Sequence, residues 1–215
     1  MKKILWIDVE TTGLNPDNHA MIELSMLMDI GGELVDKISL NIQPFPDSTV
    51  DFEYNGTQGS LCWDDCLSDE FSEAFNLGWR WIGKLPITNI VVGDIRDYLL
   101  PKTALNQITD FLDQHINRFD ITDKAYVGGY NVDFDIRFFS KFFERLGNKF
   151  LGSYINWRLL DPRYMLHVKD FKESLLIPNF KLATITKYFN LEHEAHDSLS
   201  DITVTRELFY KLLGE

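Results

Sequence analysis

An apolar strand that ends in two acids on one face constrains this chain more than any other stretch. The run Ile4-Leu5-Trp6-Ile7-Asp8-Val9-Glu10 reads as a β-strand leading into the turn Thr11-Thr12-Gly13. Strand side chains alternate, so Leu5, Ile7 and Val9 point one way and Ile4, Trp6, Asp8 and Glu10 the other. Same-face neighbours lie roughly 6.5 Å apart, a spacing from which two carboxylates can reach divalent cations about 4 Å from each other. An ionised carboxylate taken out of water is costly unless it is paired or bound to metal. The other reading is a strand that ends at Asp8 with both acids solvated, and the stretch alone leaves the two level.

The rest of the chain must support that strand. Its 215 residues suffice for one sizeable domain, or one domain with a large insertion. The opening Met1-Lys2-Lys3 followed by Ile4 to Ile7 starts like a signal peptide, but Asp8 stops the apolar run too early for one. No other run approaches membrane-spanning length, so a soluble, intracellular (cytoplasmic) protein is expected. Cys62 and Cys66 lack the further ligands of a zinc site and read as reduced thiols. A net charge of −12 argues against an electrostatic grip on a long duplex. The charge is uneven, with 11 basic against 6 acidic residues over 124–190. There Arg137, Lys141, Arg145 and Lys149 recur every fourth residue on one helix face. A solvated face is the favoured reading for them, and contact with a phosphate backbone the weaker one.

Met21 to Met28 reads as a second strand, Gly31-Gly32 as a hairpin turn and Leu34 to Ile42 as the return strand. Residues 45–100 are acidic, aromatic-rich and without a sustained period, and are expected to form a loop-rich insertion packed on the domain. A helix opens at Pro101 and Thr103, with Leu105, Ile108, Leu112 and Ile116 at helical spacing. Ala125 to Tyr130 then reads as a buried strand, and a second helix runs from about Asp133 to Gly147-Asn148. Trp157 to Asp161 is a further strand, followed by helices over Lys181 to Phe189 and Ser198 to Leu213. Three early strands followed by alternating helix and strand predict an α/β fold, a mixed sheet with helices on both faces.

Two later stretches hold acids or histidine that such a fold brings toward Asp8 and Glu10. Asn131-Val132-Asp133-Phe134-Asp135 sits at a strand-to-helix junction, where open α/β sheets place their sites. Asp133 reads as the helix N-cap, and Asp135 suits either the helix dipole or the site. In His196-Asp197-Ser198-Leu199-Ser200-Asp201, Ser198 and Asp201 match the capping-box spacing. No structural duty is visible for His196. His19, His115, His167 and His193 read as incidental.

Together these stretches resemble the DnaQ-like, or DEDDh, 3′→5′ exonucleases. Asp8-Val9-Glu10-Thr11-Thr12-Gly13-Leu14 is similar to the family's first motif, Asn131-x-x-Phe134-Asp135 to its second and His196-x-x-x-x-Asp201 to its third, with Thr205 also matching. Phe180-Lys181-Leu182-Ala183 resembles the family's approach to the third motif. The long stretch between the first two motifs departs from compact members, so substrate preference does not carry over from any one relative. The resemblance implies an RNase H-like mixed sheet, with residues 1–215 as a single exonuclease domain carrying an insertion at about 45–100. It implies Asp8, Glu10, Asp135 and Asp201 as ligands of two divalent ions, Mg²⁺ or Mn²⁺, and His196 as general base. Thr12, Leu14 and Asn131 would approach the terminal nucleotide.

Such ions activate a water and hold the leaving 3′ oxygen, and they add positive charge where an acidic protein must accept a phosphate. The leading expectation is metal-dependent removal of nucleotides from 3′ ends of single-stranded DNA, in proofreading or repair. A 3′ exoribonuclease like RNase T or oligoribonuclease stands close behind, because RNA and DNA differ at one hydroxyl. A catalytically inactive binding module and an RNase H-like endonuclease are the remaining alternatives. Homodimer formation and a polymerase partner stay open. With Glu215 just after the last motif, a free-standing enzyme is slightly favoured.

Overall fold

The computed structural model describes residues 1–54, 57–66, 80–81, 98–194 and 197–214. Strand β1 (Lys3–Thr11) is followed by β2 (Met21–Ile30) and β3 (Glu33–Asn41), with Gly31 and Gly32 at positive φ in the turn. Next come β4 (Thr49–Tyr54), β5 (Thr57–Cys62), the short helix α1 (Trp63–Cys66) and β6 (Arg80–Trp81). The second half runs α2 (Pro101–His115), β7 (Ala125–Gly128), α3 (Val132–Arg145), α4 (Leu151–Tyr154), β8 (Ile155–Leu160), α5 (Pro162–Glu173), α6 (Leu182–Tyr188) and α7 (Ser198–Leu213). The main sheet has the order β3-β2-β1-β7-β8, antiparallel across its first three strands and parallel from β1 onward. This is the mixed sheet that the strand pattern predicts.

The alternation in β1 sorts the core into two layers. Leu5, Ile7 and Val9 join Ile108 and Leu112 of α2 and Phe139 and Phe143 of α3 in one cluster. On the opposite face Trp6 packs with Leu27 of β2 and Ile202 and Phe209 of α7, its ring 5.1 Å from that of Phe209. Burying an aromatic pair of this kind stabilises the layer beyond the area it covers. Asp8 and Glu10 continue the Trp6 face, on the α7 side of the sheet.

Several expectations need correction. Among the described residues of the 45–100 stretch, β5-β4-β6 form a second, antiparallel sheet, so that part is strand rather than loop. The alternation of Thr49-Val50-Asp51-Phe52-Glu53-Tyr54 is strand-like, and Asn55-Gly56 is the strongest short-range hairpin signal in the chain. Residues 55–56, 67–79 and 82–97 of that stretch lie outside the described residues. A helix forms at Pro162–Glu173, where Asp161 accepts from the Arg163 N–H as N-cap and Pro162 stands at the first helical position. Asp133 is not the cap of α3. Asn131 takes that place in the left-handed region (φ 65°), and Asp133 pairs with Arg137 one turn on. The α7 cap is Asp197, whose carboxylate accepts from the Ser200 N–H at 2.7 Å. This releases Ser198 from the capping box.

Two members of the basic series on α3 are engaged with neighbouring loops. Lys141 pairs with Asp17 at 2.9 Å, and Arg145 pairs with Asp47, bonds Ser48 and stacks 4.0 Å from the Phe45 ring centroid. These side chains fasten the loops after β1 and β3 to α3. Arg137 and Lys149 stay exposed, as a solvated face predicts, while the loops cover Lys141 and Arg145.

Candidate active site

Residues that the sequence holds far apart meet at the end of β1. Asp8, Glu10 and Asp201 each offer an oxygen, and these atoms lie within 4.8 Å of one another. Asp8 and Glu10 are buried at 5% and 1% exposure, and Asp201 is partly exposed in the first turn of α7. Strand alternation aims the first two at α7, and the packing of Ile202 and Phe209 on Trp6 fixes the register that delivers Asp201. Three hard oxygen donors so close together suit a divalent cation. The fit to such a cation rests on this donor set.

Asp135 enters from the opposite layer. Strand β7 stops at Gly128, opposite Trp6, so beyond that point the neighbouring edge of β1 has no strand partner among the described residues. Asp135, fully buried at the N-terminus of α3, accepts there from the Val9 N–H at 3.2 Å, satisfying a backbone donor that burial would otherwise strand. Asp135 is thus anchored next to Asp8 and Glu10 in the chain, but it is not one of the three converging acids. Gly129 makes the junction feasible, since a Cβ there would lie 2.8 Å from the Ile7 carbonyl oxygen. The backbone N–H of Asn131 donates to Asp161, and Asp161 is held by the Arg163 guanidinium, so the β7–α3 and β8–α5 junctions are locked together.

The turn after β1 is equally fixed. The Thr12 hydroxyl donates to the Thr49 carbonyl at 2.7 Å and accepts from Ala20 N–H, while the Thr12 N–H and carbonyl bond Ala20 and Asp51. Thr12 therefore pins the first motif to the second sheet. Gly13 passes beneath the His19 ring, where a Cβ would stand 2.2 Å from a ring carbon. Leu14 projects beyond the turn at 68% exposure, free to contact a bound molecule. His196 lies outside the described residues.

Two residues near the cluster carried no functional sign in the sequence. Glu23 sits opposite Glu10 in the β1–β2 register and accepts from the Ser198 hydroxyl, which is also 2.6 Å from that of Ser25. Burial pushes the Glu23 carboxyl above its ordinary range, more than the Ser198 hydrogen bond lowers it, with Asp197 and Asp201 adding repulsion. The second is His193, whose Nε2 lies 2.5 Å from Asp201 Oδ1. Glu23 becomes visible only once the register pairs it with Glu10. His193 lies outside the helix that carries Asp201, so no periodicity within one element links the two.

No family model and no curated protein sequence matches this chain. Among solved structures it is similar to exonuclease I from Methylocaldum szegediense, with TM-score 0.66 and 16% identity over 100% of this chain and 43% of that one. Exonuclease I from E. coli in complex with a dT13 oligonucleotide gives TM-score 0.64 and 17% identity, covering 99% of this chain and 41% of the other. The zinc-bound form of the E. coli enzyme with single-stranded DNA gives 0.66 and 18%, covering 99% and 40%. The chain spans about two fifths of the length of these proteins. At such identities the likeness is one of fold: this chain has the RNase H-like mixed sheet, with helices on both faces, that it shares with exonuclease I.

Proposed function

We propose that the chain is a metal-dependent 3′→5′ exonuclease that removes nucleotides from single-stranded DNA ends. The observation that carries this reading is the convergence of Asp8, Glu10 and Asp201 within 4.8 Å at the end of β1. The order of the three sequence motifs supports it, as does the fold shared with exonuclease I, of which the E. coli protein has been crystallised with dT13. In this reading residues 1–215 act as one exonuclease domain, with the stretch at about 45–100 inserted in it.

Asp8, Glu10 and Asp201 would hold Mg²⁺ or Mn²⁺, with Asp135 as the fourth acid. When bound, such ions lower the pKa of a water and stabilise the charge that develops on the leaving 3′ oxygen. His196 accepts the water's proton, a task suited to an imidazole near neutral pH. Leu14 wedges against the terminal base, while Thr12 and Asn131 shape the turn and junction on either side of it. Replacing His196 with Ala lowers turnover and leaves metal binding largely intact; equal loss of both would contradict that division of roles.

The deciding assay offers 5′-labelled single-stranded DNA and RNA of one sequence with Mg²⁺ or chelator, alongside Asp8→Ala. A metal-dependent ladder shortening from the 3′ end, faster on DNA and absent in the variant, is expected. Faster digestion of RNA would replace the substrate assignment. Intact substrates under every metal, or internal cuts, would overturn the exonuclease reading.

A further inference from the structure

We propose that His193 is a positioning residue that sets the carboxylate of Asp201 for metal binding. This rests on the metal-dependent reading above. The imidazole is almost fully enclosed, its side chain 6% exposed, and both ring nitrogens have partners. Nε2 is 2.5 Å from Asp201 Oδ1 and Nδ1 is 3.3 Å from the hydroxyl of Thr186. Nε2 faces the carboxylate and Nδ1 faces the Thr186 hydroxyl, which also bonds the Ala183 carbonyl at 3.3 Å, so the ring is held between Asp201 and α6.

The surrounding backbone holds that ring in place. The Leu191 N–H bonds the Thr186 carbonyl at 2.9 Å, continuing the end of α6, and the Glu194 N–H donates to Ser200 Oγ at 3.0 Å in the first turn of α7. Residues 191–194 therefore bridge the two helices, with His193 at the middle of the bridge. A carboxylate on a helical first turn has free χ rotations, and the hydrogen bond to one oxygen selects one of them. Asp201 is then delivered to Asp8 and Glu10 already oriented. Partners of this kind typically contribute 10–100-fold to metal affinity.

The test measures Mn²⁺ binding to the full chain without nucleic acid, by calorimetry and by loss of the free-ion paramagnetic resonance signal, and the melting temperature in chelator. His193→Leu should weaken Mn²⁺ binding about 10–100-fold while the chelator melting temperature stays close to that of the parent. His193→Gln, whose amide can donate to the same oxygen, should restore most of the affinity. Thr186→Val removes only the hydroxyl that orients the ring and should weaken binding less than His193→Leu, which keeps the proposal testable if the leucine variant fails to fold. Unchanged affinity in both His193→Leu and Thr186→Val would overturn the positioning role, as would affinity loss matched by collapse of the chelator melting temperature with no rescue by Gln. A parent chain that binds no Mn²⁺ would overturn the metal-dependent reading itself.

Discussion

The two ends of one face of β1 use buried acids in opposite ways. Toward the start of the strand, Asp29 of β2 stands opposite Ile4 and is fully buried. Its carboxylate receives the Arg206 Nε at 2.8 Å, Trp6 Nε1 at 3.0 Å and the Tyr210 hydroxyl at 2.8 Å. Toward the other end, Asp8, Glu10 and Asp201 converge on one another, with Glu23 beside them. Both ends lie against the same helix, α7, so burial alone does not distinguish structural from functional acids. What distinguishes them is the company: a guanidinium and two neutral donors surround one carboxylate at the first site, whereas at the second three carboxylates come within 4.8 Å of one another, one of them held by His193. Gathering like charges works against folding, because each further carboxylate raises the cost of ionising the others. A site built that way is complementary to a cation.

The comparison is easiest to break at the catalytic end. Asp8→Ala should lower nuclease turnover by roughly a thousandfold, the scale of the several kcal/mol that metal coordination contributes to a developing phosphoryl charge. The same variant should melt no lower than the parent in chelator, since it removes one member of a like-charge group. A clear fall in melting temperature with turnover retained would assign Asp8 a structural role.

At the other end the expected pattern reverses. Arg206→Met leaves the buried Asp29 charge without its guanidinium and should destabilise the fold by about 3–5 kcal/mol in urea unfolding. Activity per folded molecule should be unchanged. Loss of activity without loss of stability would mean that the two ends are coupled through α7. Gly13→Ala ranks next, at about 1–3 kcal/mol, because its Cβ would collide with the His19 ring. It should also reduce activity by displacing Leu14, and wild-type behaviour in both assays would show that the turn relaxes freely.

Glu23 offers the smallest and most diagnostic effect. Burial raises its folded pKa above the unfolded value, so the folded chain holds this proton more tightly. The corresponding stabilisation is complete below the unfolded pKa and is lost as pH rises through the folded one. In chelator, Glu23→Gln should therefore flatten the decline in melting temperature just above the ordinary glutamate range. A steeper decline in the variant would contradict the sign.

Much of this contrast was legible in the chain itself. The alternation of β1 placed Asp8 and Glu10 on one face, and the spacing of Leu105, Ile108 and Leu112 placed α2 in the core. Local chemistry missed where two signals competed: Ser198 and Asp197 both suit an N-cap, and the longer reach of Ser198 to Glu23 and Ser25 is a tertiary preference that no local pattern contains. Helix α5 hid because Tyr164, Val168 and Phe171 lie on its exposed side, which blurs the apolar stripe. The Asp161-Pro162 start and the Asn55-Gly56 hairpin signal were both present in the sequence. His193 and Glu23 were not readable at all, since each acquires meaning only through pairing across the fold.

The most direct test of the central claim is anomalous diffraction from crystals grown with Mn²⁺. The account predicts an anomalous peak within about 2.0–2.2 Å of carboxylate oxygens of Asp8, Glu10 and Asp201, the distance expected for a small hard divalent ion. A peak held by other residues, or an empty acid cluster in a chain that digests DNA, would contradict it.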